Sequence, residues 1–236
     1  MKIKEILIGS TFILIPFLVT GQIIGFEKID SKNVTSWNPK FTLEYQCVYH
    51  FGDSEMESNF ILIFGLDKYY GQIKSGTWSE DGKSWIWTYE NLSNIRIDKN
   101  KFYSDQTNGE FVIYDNGQEK IKGLKIYNSW SGLTENEEYE IGTKSYPIDD
   151  YYNGKFPQAS KRILSIDELL KMTKRDLNIM RNEIFARYGY KFKSGGEMDN
   201  YFKNQDWYSG QNDNINDFLT ELEKENIKLI QQIENE

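Results

Sequence analysis

Cys47 and His50 have side chains that could serve as a nucleophile and its base, and they are the single cysteine and the single histidine of the sequence. Nucleophilic catalysis requires the base within hydrogen-bond reach of the nucleophile. The alternating pattern around these residues predicts a strand, in which positions three apart point to opposite faces. We therefore interpret Cys47 as a small core residue and His50 as a surface residue at a strand end.

The sequence contains few residues that are suited to binding a metal ion or a phosphate group. A zinc site draws on several His or Cys ligands, and the sequence has one of each. The runs Asp149-Asp150 and Asn212-Asp213-Asn214 lack a full calcium-loop pattern, and no glycine-rich phosphate loop is present. We expect no metal, no cofactor and no enzymatic activity. One enzymatic alternative stays open, a glycan hydrolase that uses two carboxylates about 5 to 9.5 Å apart in one cleft.

The charge of the chain argues against two classes of partner. The formal net charge is −8 and the isoelectric point is about 5.0. Nucleic-acid binding normally needs a basic face, and anionic membrane surfaces attract basic segments. We therefore expect no nucleic-acid partner and no attachment to an anionic membrane surface.

The start of the chain has the pattern of an export signal. Lys2 and Lys4 precede an apolar stretch at residues 6–19, and the small residues Thr20 and Gly21 follow. The stretch is shorter than the roughly 20 apolar residues that a membrane span needs. We interpret residues 1–21 as a signal peptide, so that the protein is exported to the periplasm, the cell surface or the medium, with no membrane span after cleavage. The alternative is an uncleaved N-terminal anchor.

The middle of the chain alternates with the period of β-strands. From position 41 onward, apolar side chains recur at every second residue, which predicts a first strand that carries Phe41, Leu43, Tyr45, Cys47 and Tyr49 on one face. Asp81-Gly82 marks a hairpin turn, after which Trp85, Trp87 and Tyr89 share a face. That face is either part of the core or an exposed platform. The pattern predicts an antiparallel β domain at residues 41–145, built as a meander, an open sheet or a small barrel.

The pattern becomes helical after a polar segment. Residues 146–163 contain Pro147, Gly154 and Pro157 and are predicted to be a linker or an ordered connecting loop. Two capping signals follow at Ser165 and Thr173, and the last helix is expected to begin at residue 213 or 215. Residues 164–236 are therefore predicted to form a helical domain. The whole chain is expected to have an α+β fold.

The segment at residues 181–192, which reads RNEIFARYGYKF, resembles the core of the YARHG domain family. Tyr201-Phe202, Trp207-Tyr208 and the stretch at 222–227 follow in the order typical of that family, so the resemblance covers about residues 163–236. It implies a small extracellular three-helix module of bacterial envelope proteins that binds a component outside the cell. Phe185 replaces the tyrosine of the name-giving motif and Tyr188 replaces its histidine, so any role that needs a histidine there fails for this chain.

Aromatic and guanidinium groups of this helical segment are the candidate ligand-binding residues, because planar groups stack on sugar rings and an arginine can hold a carboxylate. They are Arg187, Tyr188, Tyr190, Tyr201, Trp207 and Tyr208. The alternative is that these large side chains fill the core of a small helical domain.

The expected function is that of a non-catalytic exported bacterial protein that binds a cell-wall or extracellular glycan or peptide component. A second alternative, besides the hydrolase, is a small-ligand carrier with a β-barrel cavity lined by Trp85, Trp87 and Phe111.

Overall fold

The computed structural model describes residues 22–65, 67–134 and 138–236. The expected signal peptide at residues 1–21 lies outside the described residues. The strands are β1 (Ile23–Ile24), β2 (Glu27–Lys28), β3 (Val34–Ser36), β4 (Cys47–Phe51), β5 (Ser58–Phe64), β6 (Tyr69–Trp78), β7 (Trp85–Leu92), β8 (Arg96–Asp98), β9 (Lys101–Tyr103), β10 (Asn108–Asp115), β11 (Lys120–Tyr127) and β12 (Tyr139–Tyr146). The α-helices are α1 (Ile148–Tyr151), α2 (Ile166–Leu169), α3 (Lys174–Arg187), α4 (Glu197–Phe202) and α5 (Glu221–Glu234).

One twelve-stranded sheet accounts for all these strands. Its main path runs β7-β6-β5-β4-β12-β11-β10-β9-β8, and every pairing along this path is antiparallel. The sheet curls into a half-barrel and the helices follow it in the chain, which confirms the α+β class and the order of its two parts.

The inner face of the half-barrel is filled by aromatic rings. Tyr45 stacks on Phe111 with 3.8 Å between ring centroids, and Tyr49, Phe60 and Phe102 complete a layer with almost no exposed surface. The expected strand from Phe41 begins later, at Cys47, because residues 42–45 form a short 3-10 helix instead. Glu44 starts this turn by accepting the backbone N–H of Phe41 at 3.3 Å, and the side chains of Phe41 and Leu43 are exposed rather than buried.

The outer face of the sheet is the surface on which the helices pack. Strand β5 is buried on both faces, since Phe60 and Leu62 point into the half-barrel whereas Ile61 and Ile63 pack with Ile148 of α1 and Leu222 of α5. Hydrogen bonds also connect the sheet to the helical part. The amide of Gln72 donates to the Phe218 carbonyl at 2.6 Å, and the amide of Asn91 donates to the carbonyls of residues 217–219.

Residues 146–163 run between the two parts in an ordered path. Ile148, Phe156, Ala159 and Ser160 are buried, and α1 and a 3-10 helix at Pro157–Ser160 shape the segment. This segment therefore contributes to the packing between sheet and helices.

Caps define the helices of the C-terminal part. The Ser165 hydroxyl accepts from the backbone N–H of Glu168 at the start of α2, and the Thr173 hydroxyl accepts from the backbone N–H of Asp176 at the start of α3. Gly189 follows α3 and ends its last turn with a positive φ of 67°. The last helix begins at Glu221, after the capping residue Thr220, later than the apolar stripe indicates. Residues 215–219 contribute buried Ile215 and Leu219 from turns, which extends the stripe beyond the helix. Within the described part, no helix is long and apolar enough to cross a membrane.

Candidate functional site: an aromatic cleft between sheet and helices

A cleft of about 220 Å³ lies where the outer face of the sheet meets the helical part. Strands β6 and β7 form one wall, and the helical part with the segment before it forms the other. The lining residues are Gln72, Lys74, Trp87, Tyr89, Tyr151, Tyr152, Asn153, Ala186, Arg187, Tyr188, Gly189, Trp207, Ser209 and Gln211. Six of the fourteen are aromatic, so the cleft is suited to flat rings with polar edges.

The register of the β6–β7 hairpin builds the sheet wall. Lys74 pairs with Tyr89 and Gly76 pairs with Trp87 across the two strands, so all four lie on the outer face. Tyr89 packs edge to face on Tyr188, with 4.7 Å between ring centroids. The aromatic stripe of β7 is thus neither interior core nor a fully open platform, because the helical part covers its Tyr89 end.

The helical wall is fixed by hydrogen bonds of its loops. The amide of Gln211 donates to the Trp85 carbonyl at 3.1 Å, which ties the loop after α4 to β7. Gly189 brings the chain close to this loop, since a Cβ on Gly189 would lie 2.8 Å from the Ser209 carbonyl oxygen. The loop that carries Trp207 and Ser209 is therefore held against both the sheet and the end of α3.

Arg187 organises the segment before α2 from within the protein. Its guanidinium donates to the carbonyls of Asn153 at 2.8 Å and Phe156 at 3.0 Å, and to the Ser160 hydroxyl at 2.9 Å. It also pairs with the buried carboxylate of Glu183 at 2.9 Å. Burial lowers the pKa of Arg187, and Glu183 opposes that effect. These bonds hold the segment that carries Tyr151 and Tyr152 in place as part of the cleft wall.

Glu223 is the centre of a second buried network, directly behind the cleft. Its carboxylate accepts from the Ser160 hydroxyl at 2.5 Å, from the Tyr188 hydroxyl at 2.7 Å, and from the backbone N–H and the hydroxyl of Thr220, both at 3.0 Å. The Tyr188 hydroxyl also lies 3.2 Å from Oε1 of Gln72. A chain of polar groups thus runs from the last helix to the sheet. Burial raises the pKa of Glu223 although the donors around it act in the opposite direction.

The raised pKa of Glu223 predicts a specific pH dependence of stability. Because the folded protein holds the proton more tightly than the unfolded chain, Glu223 contributes most to stability below its ordinary pKa of 4.5, and this contribution falls as pH rises through the window above that value. The difference in unfolding free energy between the wild type and Glu223→Gln should therefore decrease as pH rises above 4.5. Urea denaturation of both proteins over a pH series measures it. A difference that grows with pH would mean that the hydrogen bonds outweigh burial.

The charges in the cleft are of one sign. Lys74 and Arg187 are its only charged lining residues, and no Asp or Glu is among the described residues that form its walls. Nζ of Lys74 lies 4.0 Å from the centroid of the Trp87 ring. Burial lowers the pKa of Lys74, with an opposing effect from Glu57. The charged residues that line the cleft are therefore both cationic, in a chain whose formal net charge is −8.

The structure brings three of the six candidate residues to this cleft and leaves three elsewhere. Arg187, Tyr188 and Trp207 line it. Tyr190 packs against Phe185 and Phe192, and its carbonyl accepts from the Tyr208 hydroxyl at 2.7 Å. Tyr201 packs on Phe202 at a shallow cavity beside the start of α3.

Lys74, Gln72 and Gln211 belong to the cleft but are not among the sequence-based candidates. The Asp81-Gly82 turn carries the signal that could have found Lys74, since a hairpin centred there pairs positions whose numbers sum to 163, and Lys74 opposite Tyr89 is such a pair. Gln211 gives no such signal, because its contact joins loops far apart in sequence.

The cysteine and the histidine that could serve as nucleophile and base lie away from the cleft. Cys47 is buried and donates to the Tyr146 carbonyl at 2.8 Å, whereas Nδ1 of His50 lies 3.1 Å from the Asn59 side-chain oxygen. Neither lines the cleft. Phe111 is buried inside the half-barrel while Trp87 lies on the outer face, so the cavity that the carrier alternative requires does not form around them. In the described ranges, no group of three or more His, Cys, Asp or Glu could hold a metal ion.

A second, wider groove of about 690 Å³ lies between the strand ends near Tyr70 and the start of α5. Its lining mixes Lys68, Arg96 and Lys224 with Asp217 and Glu221, so charges of both signs face it. The aromatic cleft is the better candidate, because it combines more rings with a single sign of charge.

Comparison with known proteins identifies the helical part. The family model described as the YARHG domain matches residues 154–235. This range contains α2 to α5 and the loop that carries Trp207, and it begins at the segment held by Arg187. The N-terminal sheet has no family match. Searches of curated proteins and of solved structures find no match to the chain.

Proposed function

Because residues 154–235 form a YARHG domain, a domain of the extracellular or periplasmic type, we propose that this protein is exported and binds a ring-bearing component of the cell envelope without catalysing a reaction. The ligand is a glycan or a peptide of the wall or the extracellular space. It binds in the aromatic cleft between the half-barrel and the YARHG domain.

One observation carries this proposal: rings from both parts of the chain line one cleft, with neutral polar groups at their edges. Trp87 and Tyr89 come from the sheet, Tyr188 and Trp207 from the YARHG domain. Sugar rings and peptide side chains bind to such walls by stacking, while amides such as Gln72 and Gln211 select orientation through hydrogen bonds. A volume of about 220 Å³ is smaller than the roughly 300–1,000 Å³ of pockets for drug-sized ligands, which favours one ring or a short piece of a polymer.

The walls of the cleft also support a binding role rather than hydrolysis. Glycan hydrolysis by paired carboxylates needs two Asp or Glu residues facing the substrate. The described residues that line the cleft are cationic or neutral, and none is an Asp or a Glu.

Replacing Trp87 with alanine tests the proposal. We expect Trp87→Ala to weaken co-sedimentation of the purified protein with isolated bacterial cell walls by about tenfold, because a stacking ring in a largely desolvated site contributes on the order of 1–3 kcal/mol. Half-saturating wall concentration is the quantity to measure.

Trp78→Ala is the matched control. Trp78 lies on β6 in the same hairpin, is 48% exposed and does not line the cleft. It should leave wall binding unchanged. Equal losses for both variants, or no wall binding by the wild type, would contradict the proposed role of the cleft.

A further inference from the structure

Lys74 forms no salt bridge in the part of the chain that the structure describes, although Glu57, which does not line the cleft, acts on its charge. Its side chain lies in the cleft over the Trp87 ring, and no carboxylate is within ion-pair distance of its Nζ atom. Other lysines near the contact between the sheet and the helical part have such a partner, for example Lys68 with Glu225 at 3.2 Å and Lys155 with Asp176 at 2.7 Å. An ammonium group that loses hydration in an aromatic cleft without a counterion is less stable than one that is paired.

Arg187, the other cation of the cleft, is already neutralised. Its guanidinium uses Glu183 as a counterion and makes three further hydrogen bonds to Asn153, Phe156 and Ser160. The side chain of Arg187 is only 6% exposed. A ligand acid would have to displace these bonds in order to pair with Arg187, so the role of holding a carboxylate falls to Lys74.

The surroundings of Lys74 favour an anion over a neutral group. None of the described residues that line the cleft is an Asp or a Glu, whereas the chain as a whole carries 36 acidic and 28 basic residues. Because Lys74 is the lining cation without a salt bridge among the described residues, an anionic group of a ligand suits it better than a neutral one. Burial lowers the pKa of Lys74, and a bound carboxylate would reverse that effect by stabilising the charged ammonium.

We propose that Lys74 binds the carboxylate of the ligand while Trp87 and Trp207 contact its ring, so that the cleft selects acidic sugars or ring-bearing acids over their neutral counterparts. This inference rests on the proposed function, because it names the chemical class of the ligand for the same cleft. The ammonium donates up to three hydrogen bonds, and charge-assisted bonds of this kind are roughly twice as strong as neutral ones.

Two probes that differ in one acidic group test this inference. N-acetylmuramic acid carries a lactyl carboxylate that N-acetylglucosamine lacks, and titrations followed by saturation-transfer NMR give a Kd for each. We expect the wild type to prefer the acidic sugar by about tenfold. Lys74→Met should remove this preference, and Lys74→Arg should restore most of it.

Lys68→Met is the control, because Lys68 lies outside the cleft and is paired with Glu225. It should keep the preference for the acidic sugar. Equal affinities of the wild type for the two sugars, or an unchanged preference in Lys74→Met, would overturn the role of Lys74 while leaving ring binding in the cleft intact. Failure of the wild type to bind either sugar would overturn both.

Discussion

Replacement of Arg187 by methionine is expected to lower the free energy of unfolding by about 3–5 kcal/mol, because it leaves the buried carboxylate of Glu183 without its counterion. The Glu183 side chain is 1% exposed and keeps only the backbone N–H groups of Lys155 and Phe156 as donors in the variant. The carbonyls of Asn153 and Phe156 lose their donor as well. Urea denaturation followed by far-ultraviolet circular dichroism measures the loss.

Arg162→Met provides the comparison. Arg162 forms a two-bond pair with Glu168, at 2.9 and 2.6 Å, but this pair is exposed, with side chains 51% and 31% accessible. An exposed pair contributes about 0–1 kcal/mol. A loss for Arg187→Met no larger than that for Arg162→Met would show that the Arg187 network does not hold the segment at residues 153–160.

Gly154→Ala is expected to cost about 3 kcal/mol or more through the same network, from a combination of backbone strain and displacement of a buried charge. Gly154 has a φ of +109°, and a Cβ there would lie 2.3 Å from Cδ of Glu183. The methyl group would push the carboxylate away from the N–H groups of Lys155 and Phe156. Thermal and urea unfolding measure the effect.

Gly195→Ala separates the two causes. Gly195 also has a positive φ, +74°, but a Cβ at this position meets nothing within 4 Å. It should therefore show only the backbone strain, about 1–2 kcal/mol. If the two substitutions cost the same, close packing of Gly154 against Glu183 does not contribute, and its φ alone explains the glycine.

Local patterns in the sequence predict most of the secondary structure. Alternation finds β7 and the start of β4 at Cys47 and Tyr49, and the capping pairs at Ser165 and Thr173 find the starts of α2 and α3. These signals succeed because they depend on neighbours within one turn or one hairpin. Where the strand pattern fails before β4, a longer-range contact adds to the local one between Glu44 and Phe41. Tyr45 fits the strand pattern, but its hydroxyl donates to the carbonyls of Trp37 and Lys99, which fixes it in the 3-10 helix before β4.

The cleft could be predicted only in part. Arg187, Tyr188 and Trp207 belong to the segment that resembles the YARHG family, so the sequence marks them as candidates. Their partners Gln72 and Lys74 lie more than one hundred positions earlier, on a sheet that matches no family model. Periodicity shows that Lys74 shares a face with Gln72, but not that a helical domain covers that face. Docking of two parts of a chain depends on shape and on many weak contacts, which a local pattern does not record.

The resemblance also suggests a different use for Arg187 than its geometry allows. A guanidinium in a ligand-binding motif could hold a carboxylate of the ligand, but here it binds Glu183 and the carbonyls before α2. Its contribution to the cleft is indirect, because it positions the wall that carries Tyr151 and Tyr152. Lys74 from the sheet then provides the cation available to a ligand, so the candidate site needs both parts of the chain.

Fluorine NMR of protein labelled with 5-fluorotryptophan is the most direct test of ligand binding in the cleft. The six tryptophans give separate reporters, of which Trp87 and Trp207 line the cleft, whereas Trp37 is buried in the half-barrel and Trp78 is exposed outside the cleft. On addition of solubilised cell-wall fragments, we predict shifts of the Trp87 and Trp207 resonances while those of Trp37 and Trp78 stay in place. Shifts confined to Trp78, or no shift of any resonance at saturating fragment concentration, would contradict the assignment of the cleft as the binding site.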